Sequence, residues 1–91
     1  MTIFIAAVHM AGGTQHEHVS QLVWVSEETY KSGISPTGDL VNFIENGNSV
    51  MVGDGTTKVA VGVVKPQYGA PYLRTYADKQ WTDNLLALPR Y

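Results

Sequence analysis

The sequence predicts an α+β domain, a mainly antiparallel sheet of four to five strands carrying one main helix. Three observations predict it. Short apolar, β-branched runs recur along the chain, bounded by glycine-rich turn signals. A single window places apolar residues at clear helical spacing. The 91 residues contain no cysteine, so one packed core or a subunit contact has to supply the stability that disulfides supply in other small domains. At this length one domain over residues 1–91 is expected.

Residues 2–8 read as the first strand, apolar on both faces, with Ile3 and Ile5 against Phe4 and Val8, as for a strand covered on both sides. The run lacks a basic leader and is too short for an export signal or a membrane span. Gly12-Gly13 marks a turn. Residues 16–25 read as a second strand, with Val19, Val23 and Val25 on one face and His18, Leu22 and Trp24 on the other. Residues 26–33 are a loop or a single turn capped by Ser26.

Ser35-Pro36 reads as N-cap and first helical position of a helix of about three turns. Leu40, Val41, Phe43 and Ile44 form its apolar stripe and Gly47 stops it. Residues 49–52 are a brief strand, and Gly53-Asp54-Gly55 is a hairpin signal leading into residues 57–65. There Val59, Val61 and Val63 alternate with Lys58, Ala60, Gly62 and Val64, and Gly62 marks a bulge or a close approach. Residues 66–71 are a loop and 72–76 a fifth strand. Asp78-Lys79 is a turn, and residues 81–88 are irregular or helical up to Pro89.

The net charge of −2 is unevenly spread. Residues 1–50 set one lysine against five acids, a net of −4, and residues 51–91 set five bases against three acids, a net of +2. That polarity suits the meeting of opposite ends of two copies. It is too weak for general nucleic-acid binding, which takes a concentrated basic face. A soluble cytoplasmic protein with no membrane contact is expected. The glycine pairs match neither a phosphate loop nor a dinucleotide fingerprint, so no cofactor is expected.

The last twenty-one residues concentrate four of the nine aromatics, Tyr72, Tyr76, Trp81 and Tyr91, around Arg74, Asp83 and Asn84, and end in an apolar Leu85-Leu86-Ala87-Leu88. Such bulk either finishes the core or forms a contact surface. The run Tyr72-Leu73-Arg74-Thr75, then Asp78, then Asp83-Asn84-Leu85-Leu86 and Leu88-Pro89, resembles the hallmark of a small uncharacterised domain family of bacteria and their phages. Gly12-Gly13 followed by His16 and His18, and the short helix ending in Gly47, resemble that family too. The resemblance implies a free-standing accessory domain and carries no activity, cofactor or catalytic residue.

Each candidate residue has a structural reading beside its functional one. Arg74 forks onto an anion, or else pairs with Asp78 or Asp83 to fix the terminal segment. Asp83-Asn84 caps a short helix, or else lines a site. Tyr72, Tyr76 and Trp81 stack on a ring, or else pack. His9, His16 and His18 are the candidates for a metal, or else are hairpin-end residues.

The favoured expectation is a non-enzymatic, homo-oligomeric binding domain. In it Arg74, Tyr72, Tyr76, Trp81, Asp83 and Asn84 line a site for a small anionic ligand of the nucleotide class. In a phage, such a site would sequester a host signalling nucleotide. The alternatives are a protein-interaction module and a small metal-dependent hydrolase built on the three histidines.

Overall fold

The computed structural model describes residues 1–53, 58–77 and 80–91. β1 (Thr2–Met10) pairs antiparallel with β2 (Val19–Ser26), and β2 pairs antiparallel with β3 (Ser32–Pro36). α1 (Thr37–Glu45) then crosses to β4 (Ser49–Gly53), which lies parallel to β1. β5 (Lys58–Val64), β6 (Tyr72–Ala77) and β7 (Gln80–Thr82) follow as antiparallel neighbours. The sheet runs β3-β2-β1-β4-β5-β6-β7, seven strands rather than the four to five expected. The parallel contact needs a long crossover, which β2, β3 and α1 provide.

The two extra strands are those whose sequence signals point elsewhere. Ser35-Pro36 reads as a helix start, yet Ser32–Pro36 is the sheet-edge strand β3. Proline is tolerated at an edge, where no ladder donor is required. The Ser35 hydroxyl accepts the Trp24 indole N–H at 2.9 Å instead of capping the helix. α1 therefore begins at Thr37, whose hydroxyl donates to the Val19 carbonyl at 2.6 Å, and spans nine residues. Its far end is as expected, with Gly47 at φ +94°. β7 is only three residues long, too short for period-two alternation to be visible.

α1 packs on one face of the sheet, touching β2 to β6. Leu40 and Val41 meet Ile3, Ile5, Val8, Val19, Leu22, Val50, Val52, Val61 and Leu73 in one core. Two irregularities set which residues enter it. Pairing passes from Ile5 opposite Trp24 to Ala7 opposite Val23, so Ala6 is an extra residue and Val8 turns to the same side as Ile3 and Ile5. Likewise Met10 faces Val19 while His9 faces Gln21, leaving Ser20 over and bringing Val19 to the Leu22 side, opposite to the simple alternation. The Ser20 hydroxyl donates to the His9 carbonyl at this step.

The carboxyl-terminal segment completes this core. Leu85 is fully buried, with Leu86 and Leu88 packed beside it. Beyond Phe4, β1 has no further partner in β4, and the end of the chain lies there instead. The Val8 N–H donates to Pro89 O at 2.9 Å and the Tyr91 N–H to Val8 O at 3.2 Å. After β7 the chain makes one tight turn, with the N–H groups of Leu86, Ala87 and Leu88 donating to the carbonyls of Asp83, Asn84 and Leu85.

Gly53 opposite Lys58 and Ala77 opposite Gln80 give the β4–β5 and β6–β7 hairpins. The expected Asp54-Gly55 and Asp78-Lys79 turns lie outside the described residues. The stretch His16–His18, expected to open β2, is a separate 3₁₀ turn. It approaches β6. Among the described residues no helix is long and apolar enough to cross a membrane.

Candidate functional site

Opposite α1, the second face of the sheet has no covering element among the described residues. Strand alternation and register assign to it Phe4 opposite Val25, Ala7 opposite Val23, Val23 opposite Ile34, Met51 opposite Ala60, and Tyr76 opposite Trp81. Phe4, Val23, Val25 and Met51 are half-buried, while Ile34 is 60% exposed. The expectation that β1 is covered on both sides is corrected: among the described residues only the α1 side is. Charge is sparse here. Among the described strand positions only Lys58, at one end, and Arg74 bring it to this face.

Towards β7 the face becomes aromatic. The rings of Tyr76 and Trp81 meet edge-on at 5.1 Å, and each remains about 40% exposed. The Trp81 ring lies over Gly62, where an added Cβ would sit 3.1 Å from it. The close approach expected at Gly62 is therefore made by a side chain, and a Cβ there would oblige the indole to shift by a few tenths of an ångström. Ala60, Gly62, Tyr76 and Trp81 line a shallow concavity of about 570 Å³.

Beside this concavity Arg74 is held on two sides. Its Nε donates to the Thr82 carbonyl at 3.1 Å and its Nη2 to Asp83 Oδ1 at 2.9 Å. The partner is thus Asp83, one of the two expected; Asp78 lies outside the described residues. With Asp83 74% exposed, this pair contributes at most about 1 kcal/mol and acts chiefly to position the chain. The Asp83 carboxylate reaches Arg74 across the hairpin, and the expected capping bond to its own turn is not made. Asn84 contributes its backbone N–H, which donates to Thr75 Oγ at 3.1 Å.

His16 is only 6% exposed and packs on Tyr72, with ring centroids 6.5 Å apart. Its Nε2 lies 3.7 Å from Asp83 Oδ1, beyond hydrogen-bond reach, and is the one buried side-chain polar atom without a partner among the described residues. Burial, reinforced by the Arg74 charge, holds its pKa below the ordinary histidine value, against opposing pulls from Asp83 and Glu17. Tyr72 also lines a cavity of about 520 Å³ with Glu17, Val41 and Glu45, apart from Tyr76 and Trp81.

The three histidines serve separate contacts. His9 Nδ1 meets the Tyr91 carbonyl oxygen, His18 Nδ1 accepts from the Gln15 N–H, and His16 faces Asp83. No group of three or more His, Cys, Asp or Glu among the described residues is placed to hold a metal.

Sequence reasoning missed Thr75, which is fully buried. Its hydroxyl donates to Thr82 O at 3.0 Å and accepts from the Thr82 hydroxyl and the Asn84 N–H, tying β7 and the terminal turn to β6. Alternation with Leu73 is the signal that places it on the core face. Its polar role depends on a hairpin partner that alternation does not reveal.

The family model of DUF3892, described as a protein of unknown function, matches residues 4–89, and the chain belongs to that family. No curated protein matches it. No solved structure matches it either.

Proposed function

With membership of that family as the premise, we propose that this is a non-enzymatic binding domain that works as a homo-oligomer, with the uncovered sheet face as its contact surface. The observation that carries this is the row Phe4, Val23, Val25, Ile34, Met51, Ala60 and Trp81, apolar and without a covering layer among the described residues. Seven strands about 4.8 Å apart, each giving about five residues of 3.3 Å, make a face of roughly 500 Å² in projection. That is the upper end of what monomers leave bare.

Sparse charge favours a second copy as the occupant. In a two-fold contact a charge near the axis meets its own kind, and a nearly neutral face avoids that repulsion. A strongly acidic or basic partner would find few ions to pair with. The exposed Tyr76 and Trp81 are of the residue types that anchor interfaces.

The geometry lends less support to a nucleotide-like anion at Arg74, and to a phage sequestering role, because Thr82 and Asp83 already engage the guanidinium. Sedimentation equilibrium tests the reading. The wild type is expected at twice the 9.9 kDa chain mass, and Ile34→Glu with Ala60→Glu at the single mass with an unchanged circular dichroism spectrum. A monomeric wild type at about 100 μM, weaker than any working assembly, defeats it. A melting temperature raised by nucleotides but not by protein concentration would favour the ligand instead.

A further inference from the structure

The partnerless nitrogen of His16 sits beside an ion pair at the root of β7, the strand that carries Trp81 onto the open face. Among the described residues, the charged or titratable groups facing it are Arg74 and Tyr72 from β6, Asp83 from the segment after β7, and Glu17 from its own turn. Asp83 Oδ1 is held by Arg74 at 2.9 Å and lies 3.7 Å from His16 Nε2. A neutral imidazole leaves this arrangement undisturbed. A proton on His16 makes Nε2 a charged donor, and a charge-assisted bond forms at about 2.8 Å, roughly an ångström closer than the present separation.

We propose that His16, Asp83 and Arg74 form a proton-operated switch that sets the position of β7 and, through Trp81, the strength of association at the open face. Closure onto His16 draws Asp83 from Arg74, and the two cations then share one carboxylate oxygen. Arg74 also holds the Thr82 carbonyl, so its displacement loosens the second fastening of β7. β7 is an edge strand joined by only three residue pairs, and Trp81 stands two positions before Asp83. A small shift there tilts the indole off Gly62 and reshapes the concavity. The consequence for association rests on the proposed sheet-face contact, whereas the local movement does not.

The experiment follows the ring protons of His16 and the amides of Gln80, Trp81 and Thr82 by NMR from pH 7.5 to 5.0. It uses dilute, monomeric protein, alongside the dimer dissociation constant at pH 7.5 and 5.5. The β7 amides are expected to titrate with the His16 midpoint, and the dissociation constant to be larger at pH 5.5 than at pH 7.5. His16→Gln abolishes both, and Asp83→Asn, whose exposed side chain tolerates the change, abolishes the coupled β7 shifts. His16 titrating while β7 stays still overturns the switch, as does a β7 titration that survives His16→Gln. If the protein proves monomeric at pH 7.5, the contact reading fails while the β7 titration still decides the switch.

Discussion

Replacing Thr75 by valine keeps the shape of a fully buried side chain and removes only its hydroxyl. That oxygen takes part in three hydrogen bonds, to Thr82 O, from the Thr82 hydroxyl and from the Asn84 N–H. At about 0.5–1.5 kcal/mol net for each, the loss is about 1.5–4.5 kcal/mol. Burying a methyl group in place of the hydroxyl returns about 1 kcal/mol. A net destabilisation of about 0.5–3.5 kcal/mol is expected, against the roughly 5–13 kcal/mol of a chain this size. Urea unfolding followed by far-UV circular dichroism measures it. The midpoint should fall at constant m, with a melting temperature about 4–8 °C lower for each kcal/mol lost. Thr75→Ser keeps the hydroxyl and should cost only about 1 kcal/mol. A Thr75→Val midpoint shift worth less than about 0.5 kcal/mol would show that the terminal segment is not fastened through this residue.

Two further outcomes follow from the same packing. Leu85→Ala opens a cavity in the centre of the core and should cost about 3 kcal/mol by urea titration; a surface-like cost below about 0.5 kcal/mol would contradict its full burial. Because the folded-state pKa of His16 is lowered, the native state binds fewer protons than the unfolded one near that pKa. Its contribution is therefore complete above about pH 6.5, the unfolded value, and is lost as pH falls towards the folded value. Melting temperatures at pH 7.5 and 5.5 should differ in that sense, and less so in His16→Gln.

How far the fold could be read from the sequence follows from the range of the signals. The alternation of Val59, Val61 and Val63 in β5, the stripe of α1 and the positive-φ stop at Gly47 are local, and they hold, whereas the two-sided cover read for β1 does not. Ser35-Pro36 misleads because its signature is equally local, whereas the partner that decides it, Trp24, is eleven residues away. The face of Val19 is set by an unpaired Ser20, which no periodicity announces. For the candidate site, the crowding of Arg74, Tyr76, Trp81 and Asp83 was legible in the composition of the terminal segment. The hairpin that pairs Tyr76 with Trp81 was not, because β7 is too short to show alternation. Nor was the burial of His16, since a 3₁₀ turn carries it onto β6 from the far side of the sheet order.

The central claim is that the sheet face opposite α1 is where the protein meets a second copy of itself. Backbone amide shifts recorded over a hundredfold range of concentration at pH 7.5 test it most directly. The account predicts concentration-dependent shifts confined to Phe4, Val23, Val25, Met51, Ala60 and Trp81 and their strand neighbours, with α1 unaffected. Shifts that fall on α1, or spectra that never change with concentration, would contradict it.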